Sequence, residues 1–417
     1  MWIAIFFQYK NTQIMRGKII NDPVYGFIRF PEPEMMQVIE HPWFQRLRRI
    51  KQMGVAHLVY PGAVHTRLHH SFGAAHLMNI ALSELKTKGI DITKEECLAA
   101  RLAILMHDIG HGPFSHGLER TIVQDISHED ISRLVMQRLN EQMDGTLTEA
   151  ISIFDNTHSK TFLHQLVSSQ LDMDRMDYLN RDSFYTGVSE GVIGYDRILQ
   201  MLTVKDGGLV VEEKGIHSVE KFIVARRLMY WQVYLHKTVL GAEHLIINIL
   251  KRARHLAEQG VELFATPSLR FFLYERITGK DFTTDKTILE KFCLLDDADI
   301  SASMKVWASH SDKILSQLCT MLENRRLYKV KLSTQPLDAE FEKMKQVVLN
   351  AGKIEEEDLP YYLFKGSTSN STYNQNDERI NILMKNEDVI NISRVDNALI
   401  GSDLTIPVEK FYICRVS

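Results

Sequence analysis

HDIGHGPFSH, residues 107 to 116, sets three histidines and an aspartate within ten positions. It follows directly on CLAARLAILM, residues 97 to 106, an apolar run that reads as part of a buried helix. Imidazoles crowded at the end of such a helix are either satisfied core residues or ligands of a metal. The surrounding chain favours ligands, because ten of the 17 histidines fall between His41 and His128. An adjacent His and Asp can bind one ion together, and His107 and His111, four apart, would be neighbours on one helical face. Nitrogen and carboxylate donors suit Fe, Mn, Zn, Ni or Co better than Ca.

Outward from this stretch the pattern is mainly helical. KEECLAARLAILMHDIG (94 to 110) predicts a central helix, and RLHHSFGAAHLMNIALSELKTKG (67 to 89) an earlier one. PWFQRLRRIKQMG, apolar at positions 43, 44, 47 and 50, predicts a helix capped by Gly54. Further helices are expected at about 128 to 143 and 158 to 181, and a long one from near His217 toward Gln259. KIINDPVYGFIRF (18 to 30) reads as a hairpin, and VKDGGLVVEE as a second one turning on its glycine pair. Helical patterns run on to about residue 351, after which LPYYLFKGSTSNSTYNQ, INILM, VINISR and KFYICRV alternate in strand fashion. The fold class is therefore mostly α, a helical core with a small N-terminal β-hairpin and a small α+β C-terminal region. The expected division is an extension over 1–17, a core over 18–260, a helical extension over 261–350 and a mixed region over 351–417.

Composition narrows the function. The chain has 417 residues, 45% of them hydrophobic and 24% charged, a globular balance. A net charge of -4 offers no global attraction to nucleic acid or to an anionic membrane, so an anionic ligand must be met by local cations or a metal. The four cysteines, Cys97, Cys293, Cys319 and Cys414, form no CxxC pair, which argues against a zinc ribbon or a disulfide framework and fits the cytoplasm. MWIAIFFQYK is too short to span a membrane and lacks the flanks of a signal peptide, so Met15 is the expected start.

Six stretches in order, KIINDPVYG, FQRLRRIKQMG, YPGAVHTRLHHSFG, HDIGHGPFSH, DMDRMDYLNRD and YLHK, resemble the HD-domain phosphohydrolases, and within them the deoxynucleoside triphosphate triphosphohydrolase branch. The resemblance covers about residues 18 to 240, with a fainter echo at ENRRLYKV. It implies that His70, His107, Asp108 and Asp174 hold one divalent metal, with Mg on the substrate phosphates. The residues alone leave Asp172 and Asp177 open beside Asp174. His111 and His128 are implied in acid and base work and His116 along the phosphates, while Glu119 stands where an aspartate is usual. Arg67, Arg175 and Arg226 fall where the branch grips the triphosphate, Arg175 in place of a lysine; arginine keeps the charge and changes the geometry.

Sugar and base contacts are implied for Gln52, Tyr178, Asp182 and Tyr234. Gln52 and Asp182 would bond the 3′-hydroxyl, and an aromatic under the sugar would exclude a 2′-hydroxyl. Tyr230 replaces a histidine there. Lys18, Asn21, Gln45 and Arg48 match an activating-nucleotide site between subunits of a dimer or tetramer, although the aspartate expected with them is Glu40. The rival readings are an HD-type 5′-nucleotidase or phosphodiesterase, a nucleotide-binding regulator with a vestigial metal site, and a single-strand nuclease. The last finds no basic tract with interleaved aromatics.

Overall fold

The computed structural model describes residues 17–114, 121–123, 125–350, 354–370, 379–395 and 408–416. The expected start at Met15 lies outside them, as do His116 and Glu119. The chain is mostly α, as the patterning predicts. The opening hairpin pairs β1 (Lys18–Asp22) with β2 (Gly26–Phe30). The helices that carry the site are α1 (Pro33–Glu40), α2 (Arg67–Thr87), α3 (Lys94–Met106), α4 (His128–Gln142), α5 (Thr161–Val167), α6 (Met173–Thr186), α7 (Ile216–Met229) and α8 (Lys237–Glu258).

α3 sits at the centre, every residue from Ala99 to Met106 buried, which is what a helix apolar on all sides requires. Thr93 and Glu96 close its N-terminus with a reciprocal capping box. α2 and α6 pack against each other closely enough that a Cβ on Gly73 would collide with the side chains of Asp177 and Arg181. Gly110 serves the same purpose beside α4, where a Cβ would meet the backbone of His128 and Ser132.

Four predicted helices differ in the structure, each for a local reason. The expected helix from Pro42 to Gly54 is one short turn, Pro42–Gln45, and a 3₁₀ turn, Arg46–Arg49; Arg46 is drawn into the core and the helix register cannot continue. The expected 158–181 helix splits into α5 and α6, because Asp172 caps α6 by accepting from the Arg175 N–H. The long helix from His217 breaks at Leu235 and His236, where the His236 ring accepts from the Thr238 N–H and starts α8. Residues Tyr230–Tyr234 between α7 and α8 form a π-turn, a feature often found where side chains must be re-aimed at a site. α3 itself stops at Met106, so His111 is not on a helical face with His107; the turn from Asp108, closed by the His111 N–H, carries it.

The second hairpin joins β3 (Leu202–Lys205) to β4 (Gly208–Glu212), and it turns on Asp206 and Gly207 rather than on the two glycines. Both turn residues have positive φ, 51° and 79°, as a two-residue hairpin turn demands. β5 (Lys329–Ser333) lies in a stretch that patterns as helical; its partner is remote in sequence, so local periodicity could not reveal it. The C-terminal strands are β6 (Leu363–Asn370), β7 (Asn381–Leu383), β8 (Val389–Asn391) and β9 (Val408–Arg415). They form sheets of order β3-β4-β7-β8 and β5-β9-β6, so the C-terminal chain is woven into elements that precede it. Among the described residues no helix is long and apolar enough to cross a membrane.

Candidate metal centre and substrate cavity

α2, the end of α3 and the first turn of α6 bring His70, His107, Asp108 and Asp174 together. His70 Nε2 lies 3.0 Å from Asp174 Oδ1 and 3.4 Å from His107 Nε2. His107 Nε2 is 3.5 Å from Asp174 Oδ1 and 3.4 Å from Asp108 Oδ1, while Asp108 Oδ2 is 3.9 Å from His70 Nε2. Asp174 is the most open of the four, with 31% of its side chain exposed against none for His70.

The second nitrogen of each ring fixes what the first can be. His70 Nδ1 donates to Asp177 Oδ2 over 2.7 Å, and His107 Nδ1 donates to the Ile104 carbonyl over 2.7 Å. Neither partner can donate back, so in the neutral rings both Nε2 atoms carry lone pairs aimed at each other and at two carboxylates. Such a convergence of acceptors calls for a cation, and the two imidazoles and two carboxylates fit a divalent transition metal. Without one the rings must take protons. Burial pushes His70 down, but the Asp174 and Asp177 carboxylates outweigh it and raise it to about 10. Burial likewise opposes a charge on His107, and Asp108 and Asp174 raise it. Burial would raise Asp174, yet His107 and His70 hold it below the usual carboxylate range.

The three neighbouring aspartates now separate by position. Asp174 faces the centre, Asp177 lies behind His70, and Asp172 is the helix cap. Asp177 is in turn bound by Arg181, whose Nη1 reaches Asp22 Oδ2 of the hairpin at 2.8 Å. Sequence reasoning missed Arg181 and Asp22; the four-residue spacing of Asp177 and Arg181 in DMDRMDYLNR was the available signal. Arg46, also missed, is fully buried and donates to the carbonyls of His111, at 2.8 and 2.9 Å, and Ile109, at 3.4 Å.

His111 Nε2 stands 3.4 Å from Asp108 Oδ1, and its ring stacks on His128 with centroids 3.8 Å apart. Burial, reinforced by Arg67, pushes His111 down to about 3, so the ring is neutral near pH 7. Arg67 Nη1 donates to Asp108 Oδ2 over 2.5 Å. Arg67 also lines a cavity of about 560 Å³ that contains Gln52, Tyr178, Asp182, Tyr230 and Tyr234. Asp174, Tyr178 and Asp182 follow one another at four-residue spacing along α6, so one helix face runs from the centre into this cavity.

Asp182 is held on both oxygens, by His65 Nε2 at 2.7 Å and by the Tyr234 hydroxyl at 2.8 Å. His65 is a residue that the sequence argument passed over inside AVHTRLHH. Arg175 and Arg226 are turned elsewhere, Arg175 Nε to the Ser169 carbonyl at 2.5 Å and Arg226 Nη1 to Gln170 Oε1 at 2.9 Å. Of the residues expected to read an activating nucleotide, Gln45 accepts from Arg48 Nε at 2.6 Å, and Lys18 and Asn21 are exposed on β1. The cavity's remaining wall includes Glu243 and His244 of α8, Ser367 to Ser369 of β6 and Tyr412 of β9, none of them anticipated from the sequence.

This fold and centre define a metal-dependent hydrolase of the HD type, and comparison with known proteins agrees. The HD domain model matches residues 67–182, and the HD associated region model residues 193–263. The uncharacterized protein YwfO of Bacillus subtilis is 33% identical over 405 residues, covering 93% of this chain and 89% of its own. A phosphohydrolase structure from Bacteroides thetaiotaomicron is 49% identical, with a TM-score of 0.91, over 96% of this chain and 100% of that one. The deoxynucleoside triphosphate triphosphohydrolase SAMHD1 of Gallus gallus is 28% identical over 368 residues, 76% of this chain and 56% of that protein. The chain belongs to the HD-domain phosphohydrolase superfamily, in the branch that includes the deoxynucleoside triphosphate triphosphohydrolases.

Proposed function

We propose that this chain hydrolyses deoxynucleoside triphosphates to a deoxynucleoside and triphosphate, using one divalent ion among Fe, Mn, Zn, Ni and Co held by His70, His107, Asp108 and Asp174. The observation that carries the reading is the double position of Arg67, bonded to Asp108 and lining the cavity that holds Gln52, Tyr178, Asp182 and Tyr234. A phosphate beside the Arg67 guanidinium thus has a sugar-sized, aromatic-walled space next to it. The named activity of the SAMHD1 relatives supplies the same substrate class.

When bound, the ion supplies Lewis-acid charge to the α-phosphate and activates the attacking water. The water oxygen bonds to the α-phosphorus, the bond from phosphorus to the 5′-oxygen breaks, and that oxygen takes a proton. Arg67 offsets the charge that grows on the phosphate. His111, neutral near pH 7, accepts a proton, and half-buried His128 stacked on it exchanges protons with solvent. His116 on the phosphates and Glu119 behind His111 complete the proposed set, with Arg175 and Arg226 swinging onto the polyphosphate. Asp182, oriented by His65 and Tyr234, and Gln52 hold the 3′-hydroxyl. The same reading includes a cytoplasmic homo-oligomer and an activating nucleotide at Lys18, Asn21, Gln45 and Arg48.

The test is to incubate the purified protein with Mn, Fe, Co or Mg and separate panels of dNTPs, NTPs and deoxynucleoside monophosphates, then resolve the phosphate products by ion chromatography. Triphosphate released from dNTPs is the expected result. Orthophosphate released from the monophosphates, with the dNTPs untouched, would replace this reading with a 5′-nucleotidase.

A further inference from the structure

We infer that Glu243 makes the substrate base guanine, a deepening that rests on the deoxynucleoside triphosphate reading above. α8 begins three residues after Tyr234, and the residues of α8 that line the cavity include Val239, Leu240, Glu243 and Ile247. These recur at helical spacing, so a single face of α8 walls the cavity from the tyrosine end onward. Glu243 lies one helical turn, about 5.4 Å, beyond Val239 along that face. With phosphate at Arg67 and sugar at Tyr178 and Asp182, the base is left with the part of the cavity that α8 and the C-terminal strands enclose.

That part is apolar on Val239, Leu240, Ile246 and Ile247, and Glu243 supplies its carboxylate. The cavity's other acid, Asp182, already has both oxygens engaged by His65 and Tyr234. An ionised carboxylate only accepts, through two oxygens side by side. Guanine is the one DNA base with two adjacent donors on its pairing edge, the N1–H and the N2 amino group; adenine and cytosine pair a donor with an acceptor, and thymine places its N–H between two carbonyls. A carboxylate therefore satisfies guanine twice and leaves a repulsive contact with thymine. His244, next in the chain, packs against Tyr412 and Phe364 with centroids 5.2 and 5.1 Å away, which ties this turn of α8 to the C-terminal sheet.

The experiment measures kcat/KM for dGTP, dATP, dCTP, dTTP and dITP, whose base lacks the N2 amino group, with wild type and Glu243→Gln. The wild type is expected to favour dGTP over each of the others by at least about tenfold, since buried polar groups discriminate sharply against analogues that leave them unpaired. In Glu243→Gln the amide nitrogen faces a guanine donor, and the ratio of dGTP to dITP should fall toward one. A wild type that prefers another base, or a Glu243→Gln protein with an unaltered dGTP to dITP ratio, overturns the inference. Thermal-shift titration with deoxyguanosine and deoxyinosine reads recognition without hydrolysis. If no dNTP is cleaved, the proposed reaction fails, while stabilisation by deoxyguanosine that Glu243→Gln abolishes still supports Glu243; equal shifts in both proteins overturn it.

Discussion

The His70 ring donates its Nδ1–H to Asp177 Oδ2 over 2.7 Å, on the side away from Asp174. Asp177 therefore fixes which nitrogen carries the proton and turns the Nε2 lone pair to the centre. Outer partners of this type commonly contribute a factor of 10 to 100 in metal affinity. Asp177→Asn keeps the shape and leaves the ring free to choose the other tautomer. Metal affinity, read by competition against a chelator, should fall by about that factor. Because Asn also bonds Arg181 less well, a melting curve of the metal-free protein separates lost folding from lost metal; unchanged affinity in a folded variant contradicts the assignment of His70 as a ligand.

The Tyr234 hydroxyl donates to Asp182, while its ring forms part of the cavity wall. The two functions come apart in two substitutions. Tyr234→Phe removes one bond to a buried carboxylate, a loss of about 1–3 kcal/mol, and should lower kcat/KM for dNTPs by about tenfold or more. It keeps the ring, so ribonucleotides stay excluded. Tyr234→Ala opens the space and should let NTP hydrolysis rise relative to dNTP hydrolysis. Equal discrimination in the two variants would remove the ring from sugar selection.

Much of this arrangement is legible in the sequence because it is local. The hairpin of β1 and β2, helices α2 and α3, and the HD pair follow from turn residues, apolar periodicity and a dense motif. What stayed hidden depends on distant partners. β5 needs β9, some eighty residues later, before it is a strand at all. The break between α7 and α8 depends on a capping histidine and a π-turn that periodicity does not encode. Asp172, Asp174 and Asp177 are alike in composition, and only the rotation of α6 against α2 gives them three different neighbours. Glu243 is invisible as a cavity residue until β6 and β9 close over α8.

Gly73 marks the closest approach of α2 to α6. Any Cβ there meets the side chains of Asp177 and Arg181, the pair that orients His70. Gly73→Ala should destabilise the fold by about 1–3 kcal/mol through overpacking and reduce metal occupancy with it. Elemental analysis beside a melting curve checks this. Gly89→Ala is the contrast: nothing lies within 4 Å of its Cβ position, but its φ of +83° imposes backbone strain. That variant should lose stability and keep its metal.

Arg46 joins the segment leading to Gln52 with the loop that leads out of the metal centre. Its guanidinium is fully buried, donates to the His111 and Ile109 carbonyls, and lies 5.3 Å from the centre of the Phe292 ring. Burial makes the charge costly, yet arginine stays charged at all accessible pH, so the bonds it makes are charge-assisted. Arg46→Met preserves length and apolar packing but leaves those carbonyls without their donor, at about 1–3 kcal/mol for each acceptor left unpaired. The consequence should be kinetic as well as thermodynamic. His111 belongs to the loop that Arg46 holds, so kcat should drop while KM for the nucleotide, set at Gln52, Tyr178 and Asp182, changes little. Arg46→Lys keeps a donor at one point and should recover part of the rate. A purely structural residue would lower the melting temperature and leave kcat unchanged at temperatures where the variant is folded, and that result would detach Arg46 from the chemistry.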